Sequence, residues 1–466
     1  MNKSDAERIE NVLQLMGYRA VDHENDANII GVVSCSVRQA AMDRVHGRIT
    51  RWNEMKKSRP VITLLTGCVL PHDREQVGRK FDILLDLNDL RSLPQQVSMF
   101  EGFEVAGDAS DFRADEFSDY FSFTPNYHER FRAFVPIMAG CDKFCTYCAV
   151  PYTRGRERSR SMVDILKEIR NLVVNGCLEV TLLGQNVNSY HPKDMENLSS
   201  SNPYNDAFAA LLWELNQVQG LNRIHFTAPH PRDMSDEVID AMALPKHVNY
   251  LHLPMQSGDD EILRKMNRKY TGDEFLQLVE RVKRRIPGIA LGTDIIVGFC
   301  GETEEQFQKT VDAYQRIEFD ISYHAMYSPR VGTVSEKLWT DDVPRAEKKR
   351  RWGVLQNLME DITLKKNQSY KGKVCEVLVD KYEKGFCTGM NREYKMVRFP
   401  SEIDRTGHIV HVTINDPKTW VLDGEPLNVL YGREKTQKRT TGSEAKKEKT
   451  RSTRGNTIHT AQANER

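Results

Sequence analysis

The chain has 466 residues, 66 Lys and Arg against 66 Asp and Glu, and 39% hydrophobic residues, an ordinary charged globular composition with length for about three domains. That excludes a collagen-like repeat and disorder throughout, and no window approaches the roughly 18 consecutive apolar residues of a membrane span. Zero formal net charge leaves any nucleic-acid contact to local patches, and nine cysteines behind a charged first twenty residues point to reduced thiols or metal ligands in a cytoplasmic protein, not a disulfide frame.

Ser4-Asp5-Ala6-Glu7 reads as a capping box ahead of Ile9, Val12, Leu13 and Met16, which share one helical face, and Gly17 marks the helix end. Apolar runs at 29–33 and 61–65 are each followed within a few residues by a cysteine, Cys35 and Cys68, and Ile83-Leu84-Leu85 is a third run. This alternation predicts a parallel α/β domain over residues 1–100, with both cysteines beyond the carboxyl ends of strands, where ligands gather. The opening helix lacks the strand that the pattern places before it, so the first strand of this domain is missing.

Residues 101–126 are acidic and aperiodic, with Asp108, Asp111, Asp115, Glu116 and Asp119, and read as a linker. From 127 to 360 strands and helices alternate. Strands are predicted over 133–138, 180–183, 224–227, 250–253, 294–297 and 322–327, and helices over 162–174, 208–218, 236–243 and 304–316, with others near Glu261 and Phe275. The series predicts a partial or closed parallel β/α barrel. Its unusual residues fall just after the strands, on the face where such barrels keep their active sites: the run from Cys141 to Cys148, Gly184-Gln185-Asn186, Pro229-His230-Pro231, Gln256-Ser257-Gly258, 298–302 and Ser328-Pro329-Arg330. A charged helix over 345–370 leads to a different texture at 369–432. There β-rich runs at 374–379, 395–399 and 409–414, separated by turns such as Gly389-Met390-Asn391, predict a small antiparallel β-barrel. The polar, basic stretch 433–466 reads as a disordered tail.

The most specific signal is Cys141-Asp-Lys-Phe-Cys145-Thr-Tyr-Cys148 in a loop after a strand. Three thiolates hold three irons of a four-iron cluster and leave the fourth open to a non-protein ligand. Zinc is the competing reading, and it needs a fourth ligand such as His128 or His191.

This spacing, with an aromatic before the last cysteine, resembles the radical S-adenosylmethionine (radical SAM) superfamily. The longer stretch Ile137-Met-Ala-Gly-Cys-Asp-Lys-Phe-Cys-Thr-Tyr-Cys-Ala-Val-Pro-Tyr-Thr-Arg-Gly-Arg-Glu-Arg-Ser-Arg160 resembles the signature of tRNA methylthiotransferases of the MiaB type. So do Leu182-Leu-Gly-Gln-Asn-Val-Asn-Ser-Tyr190, His252-Leu-Pro-Met-Gln-Ser-Gly258 and Thr293-Asp-Ile-Ile-Val-Gly-Phe-Cys-Gly-Glu-Thr303, and the resemblance runs from Met1 to about Gly432.

The resemblance implies that Cys141, Cys145 and Cys148 hold the cluster that cleaves S-adenosylmethionine to a 5′-deoxyadenosyl radical, which takes the hydrogen from C2 of an adenine. Tyr147 matches the position near the cofactor's adenine, and Gly184, Gln185 and Asn186 the place where its amino group is recognised. Gln256, Asp294 and Glu302 lie at matching strand ends and are expected to line the same cofactor pocket. The resemblance further implies an auxiliary four-iron cluster, the source of the methylthio group, held by three cysteines; Cys35 and Cys68 match two of them. The third belongs to a Gly-Cys-Gln-Met-Asn stretch of which this chain shows only the opening Met-Asn. A start codon placed too far downstream is the expected explanation, with a genuinely shortened protein as the alternative. Arg154, Arg156, Arg158 and Arg160 suit phosphate contacts beside the reacting base, and residues 369–432 resemble the TRAM domain, an RNA-binding barrel.

The implied reaction is methylthiolation of isopentenyladenosine on the 3′ side of the anticodon in tRNA. The implied partners are tRNA and an electron donor such as a flavodoxin or ferredoxin, with no membrane and a monomeric state. Alternatives are a sister enzyme acting on threonylcarbamoyladenosine tRNA or on a ribosomal-protein aspartate, and a non-catalytic tRNA-binding iron–sulfur protein.

Overall fold

An apolar stripe must be covered, and the opening helix shows how this chain does it. In the computed structural model, which describes residues 1–35, 39–105, 120–431 and 457–462, the helix is Asn2–Leu15. Ile9, Val12, Leu13 and Met16 are all buried, as their spacing predicts, and Gly17 ends the helix at φ +89°. The expected capping box does not form: the helix begins one turn earlier, Met1 is its N-cap, and Ser4 instead accepts a hydrogen bond from Arg8 inside the first turn.

The chain divides into two units. The first contains Met1–His128, Tyr152–Arg154 and the C-terminal strand Thr457–Gln462. Its sheet is parallel, in the order Arg19–Ala20, Thr457–Gln462, Ile29–Cys35, Ile62–Cys68, Ile83–Leu84. The strand missing from the sequence pattern is therefore supplied by the other end of the chain. Ile458 pairs with Ile29 and Gln462 with Val33, and the Ile458 side chain joins Ile9, Val12, Leu13 and Met16 in the core. This corrects the expectation of a wholly disordered tail; residues 432–456 and 463–466 lie outside the described residues. A second core on the opposite face packs Ile30, Val32 and Leu65 against Val45, Ile49 and Trp52 of the helix Gln39–Met55. Part of the expected linker also belongs here: Tyr120 and Phe123 are buried in the first core, while residues 106–119 lie outside the described residues.

The second unit contains Glu129–Pro151 and Gly155–Arg433. Two parallel three-stranded sheets, Arg132–Pro136, Glu179–Leu183, Arg223–Phe226 and Tyr250–His252, Ala290–Val297, Ile321–Met326, are joined by a parallel bridge between Ile224 and His247. The result is six parallel strands in sequence order, with helices between them, and Arg132–Pro136 and Ile321–Met326 at the edges. The helices over Met162–Val174, Ala207–Gln217, Asp236–Met242 and Glu304–Ile317 are those the sequence predicts, within a residue or so. Ser161, Asp206, Ser235, Thr271 and Thr303 cap helices with their side chains, which explains why the boundaries are sharp. Arg345–Gln368 is a single long helix. No described helix is long and apolar enough to cross a membrane.

Five strands then close a barrel: Val374–Glu383, Phe386–Met390, Met396–Pro400, Ile409–Pro417 and Leu422–Tyr431. Two details differ from the sequence reading. Gly389 and Met390 lie in a strand, because the turn falls instead at Asn391–Lys395, and the pairing of Met396–Pro400 with Leu422–Tyr431 is parallel, so the barrel is not purely antiparallel. The barrel is anchored within this unit by Arg223, wholly buried, which donates to the Glu376 and Met390 carbonyls and pairs with the Glu376 carboxylate.

The C-terminal strand generates a prediction. Ile458→Asp places an unpaired charge in the core of the first unit, so amide exchange across Ile29–Cys35 and Asn2–Leu15 should rise by about tenfold or more while Val374–Glu383 is unaffected. Hydrogen–deuterium exchange followed by mass spectrometry measures this; equal protection in both proteins would contradict the placement of the strand.

Candidate active site

In the second unit the cysteine loop starts at a backbone that only glycine tolerates. Gly140 sits at φ +83°, and a Cβ there would collide with the backbone carbonyls of Arg156 and Gly155. Its N–H donates to Gln185 Oε1 at 2.6 Å, tying the start of the loop to the end of the neighbouring strand. The far side of the loop is pinned by the segment after the helix Asp260–Lys265. Asn267 donates through its side-chain amide to the Lys143 and Phe144 carbonyls at 3.1 and 3.0 Å, and Thr146 donates to the Lys265 and Met266 carbonyls. Lys143 pairs with Asp233 at 2.6 Å, and Asp233 in turn accepts from Asn186 at 2.9 Å.

The sulfurs are met by donors. Val150 N–H points at Cys148 Sγ at 3.4 Å, and Arg268, buried and held by Tyr270 and the Pro254 carbonyl, places Nη1 3.3 Å from Cys145 Sγ. Burial pushes the Cys141 thiol up to about 11 and Cys148 to about 12, so loading a metal centre here releases protons. Among the described residues no three His, Cys, Asp or Glu side chains converge on a single ion. The two histidines that the zinc reading named are elsewhere: His128 pairs with Glu10 at 2.9 Å in the first unit, and His191 is exposed. Three thiols spread along one loop, with cationic and N–H donors aimed at sulfur, fit a four-iron cluster with one open iron better than a closed tetrahedral site.

Around the strand ends, three buried polar atoms have no hydrogen-bond partner among the described residues: Asn186 Oδ1, His230 Nε2 and Gln256 Oε1. Buried polar groups as a rule have a partner. Other unpartnered atoms occur elsewhere in the unit, on Thr181, His225 and His247 among others, and Asn186, His230 and Gln256 differ in lying in the loops after the strands, where a polar ligand can meet them. Gln256 is held at φ +70°, with its N–H bonded to the Asp294 carbonyl. Gly184 is there because a Cβ would meet Met138 Cγ at 2.6 Å. Tyr147 packs against the cluster of Ile262, Met266 and Phe299. Glu302 departs from expectation: it is buried, accepts from Gly298 N–H at 2.6 Å and pairs with Arg351 at 2.8 Å, so it fixes the turn after the strand Ala290–Val297 instead of facing a cofactor. Asp294 pairs with His252 at 2.9 Å. Arg268, Asn267 and His230 carry no role in the sequence reading, although His230 lies in a flagged strand-end run. The only local signal for the other two is the helix end that they follow, where Asn267 takes the left-handed conformation at φ +60°.

In the first unit Cys35 and Cys68 are register partners at the carboxyl ends of adjacent parallel strands, where neighbouring strands lie about 4.8 Å apart. Gly67 at φ +101° lets the backbone pass Ser34, whose carbonyl a Cβ would strike. Arg154 is the chief surprise. It is buried, donates from Nε to Cys68 Sγ at 2.9 Å and pairs with Asp5, which also accepts from Tyr120 at 2.6 Å. That corrects its expected role as a phosphate contact, since its guanidinium is fully committed inside the protein. Of the other arginines expected to meet RNA, Arg160 pairs with Glu168, Arg156 is exposed and pairs with Asp142 at 2.6 Å, and Arg158 is exposed.

Two outcomes follow from this geometry. Burial pushes the Asp5 carboxyl up, but the charge and hydrogen bonds of Arg154, aided by Tyr120, outweigh it and hold the carboxyl below 3.8. Its stabilising contribution is thus present above that pH and lost as pH falls through the lowered value. Arg154→Leu leaves the carboxylate buried without its cation, and should destabilise the first unit by about 3–5 kcal/mol at neutral pH. Burial then raises the Asp5 carboxyl, so the deficit shrinks as pH falls through that raised value and levels off below the ordinary carboxylate range of about 4. Thermal unfolding from pH 3 to 8 measures it, and a deficit independent of pH would contradict the pairing. Gly140→Ala should lower the iron held after anaerobic reconstitution while circular dichroism stays unchanged; full iron content would show that the loop accommodates a side chain.

The model of the radical SAM superfamily matches residues 135–314, and that of the uncharacterized protein family UPF0004 matches residues 1–86. A tRNA-2-methylthio-N(6)-dimethylallyladenosine synthase of Thermoanaerobacter sp. (strain X514) is 38% identical over 92% of this chain and 91% of that protein. One of Acetivibrio thermocellus is 39% identical over 91% of this chain and 88% of its own length. Among solved structures, the radical S-adenosylmethionine methyltransferase TsrM of Kitasatospora setae with cobalamin and a [4Fe-4S] cluster superposes with a TM-score of 0.48 at 14% identity, covering 81% of this chain and 71% of that one. At such identity along nearly the full length, the chain belongs to the family of radical SAM tRNA methylthiotransferases.

Proposed function

We propose that this protein attaches a methylthio group to C2 of isopentenyladenosine on the 3′ side of the anticodon in tRNA, in the cytoplasm. The observation that carries the reading is the full-length similarity to relatives named for this product, together with a three-cysteine loop built for a cluster with an open iron. The relatives' names favour this substrate over threonylcarbamoyladenosine or a protein aspartate.

Cys141, Cys145 and Cys148 are the residues that would hold the cluster. When bound, such a cluster supplies the single electron that cleaves S-adenosylmethionine and so the radical that removes the C2 hydrogen. The protein's part is positioning. Gly140, Gln185 and Asn267 fix the loop, Arg268 sets a positive charge beside Cys145, and the unpartnered amide oxygens of Asn186 and Gln256 are acceptors suited to the ammonium end of the cofactor. Tyr147 supports the cofactor's adenine end. Cys35 and Cys68 supply two aligned thiols for the sulfur-donating centre; this sequence holds no third cysteine in the first unit.

The closed barrel is read as a TRAM-like RNA contact. Lys371 and Lys373, just before its first strand, and Lys381 and Lys384 on the barrel itself are exposed, as are Phe386 and Met396, with Lys381 paired to Glu383 at 2.5 Å. Arg392, Lys395 and Arg398 are engaged instead with the His247 carbonyl, Asp320 and Asp423. A small electron-transfer protein of the flavodoxin or ferredoxin class is the reductant, and the working form is a monomer.

The test is mass spectrometry of nucleosides after anaerobic incubation of the iron-reconstituted protein with S-adenosylmethionine, reductant and tRNA carrying isopentenyladenosine. The methylthio nucleoside should appear. Cys141→Ala should abolish deoxyadenosine formation, whereas Cys35→Ala should keep deoxyadenosine and lose the methylthio product. Deoxyadenosine from the Cys141 variant, or product from the Cys35 variant, would overturn the respective assignment.

A further inference from the structure

In a parallel sheet, register partners and alternate residues share a face. His252 is the partner of Gly292, and Asp294 is the partner of Tyr323, so His252, Asp294 and Tyr323 lie on one face of three consecutive strands. The opposite face, with Leu251, Thr293, Ile295 and Ser322, is buried, and Ser322 bonds Tyr314 of the helix Glu304–Ile317. The first face is therefore the inner one, away from the helices. It is unusual for being polar and open: Tyr323 is 56% exposed although it sits in the middle of a strand, and the Asp294 side chain is 41% exposed.

The groups on it are ordered. His252 Nε2 lies 2.9 Å from Asp294 Oδ2, its Nδ1 lies 3.2 Å from Tyr250 Oη, and its ring centroid is 5.8 Å from that of Tyr323 at 45°. Gly292 makes room for this stack, since a Cβ there would overlap Tyr250 Oη and meet His252 Nδ1 at 2.8 Å. Among the described residues the Asp294 carboxylate bonds His252 through Oδ2 and none donates to Oδ1, and this 41% exposed side chain shares its face with the exposed Tyr323 ring.

We propose that Tyr323 and Asp294, with His252 as positioning residue behind Asp294, form the recognition site for the target adenine, Tyr323 stacking on the base and Asp294 accepting its exocyclic N–H. This deepens the proposed function and rests on it. A purine also forms part of S-adenosylmethionine, but the geometry favours the tRNA base. The unpartnered atoms assigned to the cofactor, on Asn186 and Gln256, belong to residues with 1% and 7% exposure. Tyr323 instead lies on the edge strand Ile321–Met326, on the open side of the six-strand sheet, where a base carried on a polymer can enter. Stacking on an aromatic side chain combined with a hydrogen bond to the base edge is how unstacked RNA bases are read.

The experiment compares the affinity of the full chain for tRNA carrying isopentenyladenosine with its affinity for the same tRNA made abasic at that position, and separately measures the Kd for S-adenosylmethionine. The unaltered protein should prefer the intact tRNA by roughly ten- to a hundredfold. Tyr323→Ala should bring the ratio close to one with the cofactor's Kd unchanged, Tyr323→Phe should retain the ratio, and Asp294→Leu should reduce it. Full preference in Tyr323→Ala, or a loss confined to cofactor affinity, overturns the proposal. Because the readout is binding, it stands apart from failure of the proposed reaction, which the nucleoside assay reports.

Discussion

The candidate site in each unit depends on the same backbone constraint: a cysteine preceded by a glycine with positive φ, in contact with neighbouring backbone. Gly67 precedes Cys68 and passes against Ser34; Gly140 precedes Cys141 and passes against Arg156 and Gly155. A Cβ at either place would strike a carbonyl oxygen, and the conformation is one that other residues adopt only under strain. The carboxyl end of a parallel strand is where the chain must leave the sheet. Turning it sharply there exposes N–H groups and side chains to a ligand and not to the next strand. In the second unit, the freed Gly140 N–H finds Gln185 on the adjacent strand end, so the turn that frees the thiols also ties them to the cofactor pocket.

Buried charge does a different task. Arg154, Arg223, Arg268 and Arg351 are all buried or nearly so, and each is matched by carboxylates, carbonyls or sulfur. Such pairs contribute little net stability compared with apolar packing, but they fix geometry, because a guanidinium offers several donors in a rigid fork. Arg268 reads out Tyr270, the Pro254 carbonyl and Cys145 together, and a Lys in its place would satisfy at most part of that set. The hydrogen bond to sulfur is then as well defined as the strands that position its other partners.

Periodicity made most of the second unit legible. Alternating apolar runs and capped helices place its six strands and their helices, and the spacing of Cys141, Cys145 and Cys148 marks the loop. Side-chain roles were less legible, for physical reasons. Arg154 sits in a run of alternating arginines that looks solvated, and only its burial against Asp5 and Tyr120 shows otherwise. Glu302 sits at a strand end like a ligand-facing residue, but Arg351, far along the chain in a later helix, claims it. Asn267 and Arg268 act on a loop more than a hundred residues earlier in the chain. Contacts at such separation leave no local pattern. The same holds for Thr457–Gln462, whose polar surroundings in sequence conceal a strand that is defined by the slot it fills.

The inner face of the second unit's sheets carries two kinds of polarity, and they divide the work of recognition. Toward the cysteine loop the polar atoms are buried and unpartnered, on Asn186, His230 and Gln256, where exclusion of water strengthens each hydrogen bond that a small ligand makes. Toward the edge strand the row is ordered and opens outward, from buried Tyr250 through His252 to the part-exposed Asp294 beside the exposed Tyr323 ring. A small cofactor can be enclosed and can satisfy orphaned atoms from within. A base attached to a large RNA cannot be enclosed, so its site must stay open and gain its selectivity from pre-ordered groups and a flat stacking surface. Gln256 links the two regions through its backbone bond to Asp294, which sets the enclosed and the open parts of the site side by side at the ends of neighbouring strands.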